Sequence, residues 1–114
     1  MLFRSDALDW DTALAKLGGD RELLEEIAGI FLREWPRWKA GIEQGFAARN
    51  AAEVKRLAHT IRGSLGQFGA QPGMDAAQHV ERLAQEGDLD AAEVGWTTLV
   101  TRVEALLVGF ANRN

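Results

Sequence analysis

The chain has 114 residues, 46% of them hydrophobic and 26% charged, which is enough apolar material for one packed core and a single domain over 1–114. Thirteen Lys and Arg against seventeen Asp and Glu leave a net charge of −4, which argues against a nucleic-acid partner, and the lack of cysteine excludes disulfides, thiol nucleophiles and zinc fingers. The N-terminus reaches an acidic residue at Asp6 and no apolar run approaches the roughly 20 residues of a membrane span, so a soluble, cytoplasmic protein without membrane attachment is expected.

Leu8, Trp10, Ala13, Leu14 and Leu17 mark a short amphipathic helix that Gly18-Gly19 ends. Asp20 is a good N-cap for a second helix, whose periodicity runs through Leu23, Leu24, Ile27, Ile30 and Phe31. Trp35-Pro36 interrupts it, because proline lacks an N–H and crowds the preceding turn. The apolar pattern resumes at Trp38, Ile42 and Phe46, so the segment is either one kinked helix or two abutting ones.

Asn50 and Glu53 form a capping-box-like start for the next helix, which carries Val54, Leu57, Ile61, Leu65 and Phe68 at three- and four-residue spacings. Gly69 to Gly73 reads as a turn with Pro72 suited to a first helical turn, after which Met74, Ala77, Val80 and Ala84 trace another stripe, closed by Gly87-Asp88. A last helix follows through Val94, Leu99, Val103, Leu106, Leu107 and Phe110, with a polar Asn112-Arg113-Asn114 tail expected to fray. No strand alternation is present. The expected fold is all-α, an antiparallel four-helix bundle with a short additional N-terminal helix, and the four tryptophans are expected to pack in or beside its core.

At about 100° per residue, placing Leu57 and Ile61 in the core puts His59 roughly opposite, facing solvent. Lys55, Arg62, Gly63 and Gly66 fall within about 60° of it, and no acidic residue of that helix joins them. The expectation is a basic, sterically bare patch around one imidazole. Two glycines inside a helix cost about 1 kcal/mol each relative to alanine, so their use on a solvent face needs a reason, and close approach of a partner to His59 supplies one. Imidazole is a nucleophile whose unperturbed pKa lies near neutrality, and Arg62 and Lys55 are close enough to balance phosphoryl charge. His79 is expected on the solvent side of its helix, without a metal site.

The run Ala58-His59-Thr60-Ile61-Arg62-Gly63-Ser64-Leu65-Gly66-Gln67-Phe68-Gly69-Ala70 closely resembles the signature around the phosphorylated histidine of histidine-containing phosphotransfer (HPt) domains. Gly19-Asp20, the run through Phe31, Val80-Glu81 and Gly87-Asp88 extend the resemblance over about residues 8–110. It implies that His59 is a phosphoacceptor, taking a phosphoryl group from the aspartate of one receiver domain and passing it to another, in receivers of response regulators and hybrid histidine kinases. It further implies that Glu81 accepts a hydrogen bond from the ring nitrogen that is not phosphorylated. Arg62 stands where the family usually has Lys, and Gln67 where Asn or another small polar residue is common. Lys55, Gly63, Gly66 and Gln67 are the implied docking residues.

By this resemblance the protein is a carrier without kinase or ATPase activity of its own, consistent with its having no phosphate-binding glycine loop. It needs no cofactor, magnesium being expected on the partner receiver, and it is expected to be a monomer. The alternative is an HPt-like module that is never phosphorylated and that binds or inhibits a signalling partner through the same face.

Overall fold

The computed structural model of the chain describes residues 10–111, which form five helices and no strand: α1 (Trp10–Lys16), α2 (Arg21–Ala47), α3 (Ala51–Gly66), α4 (Gln71–Gln85) and α5 (Leu89–Ala111). Leu8 and the Asn112-Arg113-Asn114 tail lie outside the described residues. Connections of three or four residues make each of α2 to α5 antiparallel to the next, and packing of α2 on α3, α3 on α4, α4 on α5 and α5 on α2 closes the bundle, with α1 against α2.

Local chemistry sets the helix ends. Gly18 and Gly19 adopt φ of 71° and 81°, a left-handed conformation open to glycine, and Gly19 N–H returns to the Leu14 carbonyl at 2.9 Å. Asp20 and Asn50 cap α2 and α3 by accepting from Leu23 N at 3.0 Å and Glu53 N at 3.1 Å. The Glu53 carboxylate, however, does not complete a capping box and binds Arg56 instead. Pro72 sits in the first turn of α4, and Gly87 (φ 81°) ends that helix.

α2 is a single helix through Pro36. The proline faces solvent, while Phe31 and Trp35 before it and Ile42 and Phe46 after it are all buried, so tertiary packing on both sides outweighs the lost backbone bond. Phe31 is the hub of an aromatic cluster, its ring centroid lying 6.2 Å from Trp35, 5.8 Å from Trp38, 5.8 Å from Phe68 and 6.4 Å from Phe110. Trp35 and Trp96 are buried, and Trp10 and Trp38 lie at the core boundary.

Several readings of the sequence need amendment. The turn expected over Gly69 to Gly73 is shorter, since Gly69 (φ 67°) makes the reversal and α4 already begins at Gln71. Val94 is 70% exposed, because it lies roughly 160° around α5 from Trp96, and Leu23 and Ile30 are also largely exposed at the edge of the α2 stripe. Among the described residues, one helix is long and apolar enough to cross a membrane by length and composition alone, α5, with 23 residues and a mean hydropathy of 1.3 in its most apolar stretch. That apolarity has a structural cause, since Leu89, Ala92, Trp96, Leu99, Val103, Leu106 and Phe110 all face the bundle interior.

Close approach between helices depends on glycine. A Cβ on Gly45 of α2 would lie 3.0 Å from Val54 Cγ2 and 3.5 Å from the Val54 backbone nitrogen, and one on Gly73 of α4 would lie 2.9 Å from Leu65 Cδ1. Gly45→Ala is therefore expected to cost about 1–3 kcal/mol of stability by overpacking the α2–α3 contact. Urea unfolding, showing a lower midpoint at unchanged slope, would measure it.

Candidate functional site

The stripe Val54, Leu57, Ala58, Ile61 and Leu65 binds α3 to the core and turns His59 outward, where its side chain is 63% exposed. Packing of α4 on α3 brings Glu81 up beside it. Glu81 Oε2 lies 2.9 Å from His59 Nδ1, and Glu81 Oε1 accepts from Arg62 Nε, also at 2.9 Å. The carboxylate is only 16% exposed, so each oxygen is held by a partner in a largely dry setting.

Burial works to raise the pKa of Glu81, but its hydrogen bonds to His59 and Arg62, with their charges, outweigh that effect and hold it below its ordinary value of 4.5. At neutral pH it is an acceptor only, so the bond to His59 requires a proton on Nδ1. Arg62 Nη2 is also 3.0 Å from Nδ1. Two donors cannot share that contact as a hydrogen bond, and the ionised carboxylate decides the tautomer in favour of Nδ1–H. Nε2 is then left with its lone pair, without a hydrogen-bond partner among the described residues.

An open groove of about 530 Å³ runs along this face, lined by Ala52, Lys55, Arg56, His59, Thr60 and Glu81. Of the expected site residues, His59, Arg62 and Glu81 are in mutual contact, and Lys55 lines the groove. A Cβ on Gly63 would meet nothing within 4 Å, so the gap one turn beyond His59 exists. Gly66 is different. A Cβ there would sit 3.5 Å from Met74 Cε of α4, an ordinary van der Waals contact, so the position is partly covered by the next helix and is not part of a bare surface. Gln67 stands exposed at the C-cap of α3, about two turns from His59 and outside the groove.

The expected basic patch is also weaker than a projection of α3 alone suggests. Glu81 neutralises Arg62, and Glu53 holds Arg56 through its Nε at 3.0 Å, leaving three cations (Lys55, Arg56, Arg62) against two carboxylates (Glu53, Glu81), a net +1. Ala52 and Arg56 were legible signals that the sequence reading passed over, since both fall within about 60° of His59 on the same helical projection. Thr60 was not, as its hydroxyl bonds the Arg56 carbonyl at 3.1 Å from the flank of the helix. His79 is exposed as expected, with Nδ1 3.1 Å from Arg82 Nη2 and, among the described residues, no carboxylate on its ring. Among the described residues no three His, Asp or Glu side chains come together as a metal site.

The Hpt domain family model matches residues 26–109, well over half of the chain, and the match includes α3, α4 and every residue of the groove. Hpt domains are helical phosphocarrier modules of two-component signalling, not kinases, and they interact with receiver domains. No curated protein and no solved structure matches the chain.

Because the folded state holds Glu81 ionised more firmly than the unfolded chain does, this contribution to stability is complete above pH 4.5 and is lost as pH falls below it. Glu81→Gln is expected to unfold at a lower denaturant concentration at pH 7 and to lose less stability than the wild type between neutral pH and pH 3. Chemical denaturation at a series of pH values would measure both effects.

Proposed function

We propose, from the premise that the chain belongs to the Hpt domain family, that His59 accepts a phosphoryl group from the aspartate of one receiver domain and donates it to the aspartate of another. The observation that carries this reading is the Nδ1–Glu81 bond, which leaves Nε2 unprotonated on a ring projecting from the bundle beside the open Gly63 position. In the forward step the Nε2 lone pair attacks phosphorus, an N–P bond forms, the P–O bond to the donor aspartate breaks, and that carboxylate leaves with the electron pair. No proton has to move. The product ring is a phosphoimidazolium still protonated on Nδ1, and the Glu81 carboxylate offsets its positive charge. Transfer to the second receiver is the same step in reverse.

The receiver brings the magnesium ion and most of the charge stabilisation, while this chain brings a positioned nucleophile. Gly63 lets the receiver surface come close to the ring, and Lys55 with the apolar stem of Arg56 borders its approach. A net charge of only +1 around the site suits a transient, exchangeable interface. Survival together of nucleophile, orienting carboxylate and glycine gap favours transfer over an unphosphorylated binding role.

Incubation with a phosphorylated receiver is expected to label the protein with acid-labile, base-stable phosphate, and His59→Gln to remove the label entirely. Label persisting on that variant would reject His59 as the carrier. Gly63→Ala is expected to separate fold from function. It should stabilise the helix by about 0.5–1 kcal/mol, since the added methyl meets open space, while slowing transfer from the receiver because the same methyl stands in the approach path. Thermal unfolding and single-turnover transfer on one preparation would check both signs.

A further inference from the structure

Three cations border His59, and two of them are already engaged. Arg56 is bound through its guanidinium to Glu53, and Arg62 is bound to Glu81. Arg62 is also only 33% exposed, and its Nη2 lies against Nδ1, the inner nitrogen of the imidazole and not the one that would carry phosphorus. Swinging it outward would leave the Glu81 carboxylate, 16% exposed, without its cation, an arrangement that a largely buried charge resists. Lys55 is exposed, lines the same groove as His59, and makes no ion pair or hydrogen bond among the described residues.

Direction strengthens the contrast. Side chains on an α-helix lean toward its N-terminus, so His59 leans toward the turn that holds Lys55, while its contact with Arg62 is made at the inner nitrogen, Nδ1. The groove residues on α3 agree, since Ala52, Lys55 and Arg56 all precede His59 and only Thr60 follows it. The small side chain of Ala52 leaves room there for a tetrahedral group, and lysine places a compact charge on a flexible four-carbon stem within reach of a residue four positions on.

We infer that Lys55 is the side chain that pairs with the phosphoryl group on His59, while Arg62 is a positioning residue that holds Glu81 against the ring. The inference rests on the phosphohistidine reading of the site. It assigns the cationic role to a position four residues before the histidine, not to the one three residues after it. Pairing with the phosphoryl oxygens stabilises the phosphorylated form of this protein relative to the phosphorylated receiver, so it acts on the equilibrium of the transfer as well as on its rate.

The test is the position of that equilibrium for the wild type, Lys55→Gln and Lys55→Arg, each mixed with a phosphorylated receiver at concentrations well below those at which the two proteins bind. Under those conditions the equilibrium constant depends on the free species alone, and docking contacts do not shift it. Lys55→Gln is expected to reduce the phosphohistidine fraction at equilibrium about two- to fivefold, the range of a solvent-exposed charge pair, with Lys55→Arg close to wild type and the difference shrinking in high salt. Affinity for unphosphorylated receiver should change less. An unchanged equilibrium, with weaker receiver binding instead, would make Lys55 a docking contact and overturn the inference while leaving the carrier role of His59 intact. A wild-type protein that takes no label on His59 would overturn both.

Discussion

The geometry of the candidate site depends on one carboxylate shared between two helices. Glu81 reaches from α4 to α3 and holds the His59 imidazole with one oxygen and the Arg62 guanidinium with the other. The ring is otherwise a solvated side chain on a regular helix, free to rotate and to exchange tautomers. Bound at Nδ1, it presents the other nitrogen outward in the form that can attack, at the cost of keeping a carboxylate largely buried, which Arg62 offsets. His79 is a natural control within the same fold. It too has an arginine three residues on at 3.1 Å from Nδ1, but no carboxylate, so a guanidinium donor there favours the opposite tautomer, with the proton on Nε2.

That contact exists only because α3 and α4 pack closely enough for a glutamate to span them, and the spacing is set by small residues. Gly73 lets α4 approach the Leu65 side chain, and Gly41 and Gly45 do the same for α2 against Leu57 and Val54, while Gly66 lies under the Met74 side chain at ordinary contact distance. Gly63 is in the same helix as Gly66, three residues away, yet touches nothing. Glycines that look equivalent in the sequence thus divide into those that bring helices together and one that keeps a surface clear.

Charge divides in a similar way. Projected on α3 alone, Lys55, Arg56 and Arg62 make a strongly basic face, but Glu53 from one turn earlier and Glu81 from the next helix remove most of it. What remains is a single uncommitted cation beside the groove, with two arginines engaged in ion pairs. The result is a site of modest local charge with one flexible cation uncommitted, which under the proposed role of His59 is available to answer the two negative charges that a phosphoryl group brings.

The sequence by itself determined the helices, their caps and the outward direction of His59, because these follow from periodicities and end signals within one segment: Asp20 and Asn50 as N-caps, Gly19 and Gly87 in left-handed turns, and Leu57 and Ile61 opposite the histidine. It also held the resemblance that placed Glu81 near the ring. Only the tertiary structure decided that Pro36 leaves α2 continuous, that Gly66 is packed while Gly63 is open, and that Arg62 is neutralised while Lys55 is not. Each of these turns on what a neighbouring helix brings to within a few ångströms. A helical projection orders the residues of one element around its axis, but it carries no information about the atoms that the next element sets against them.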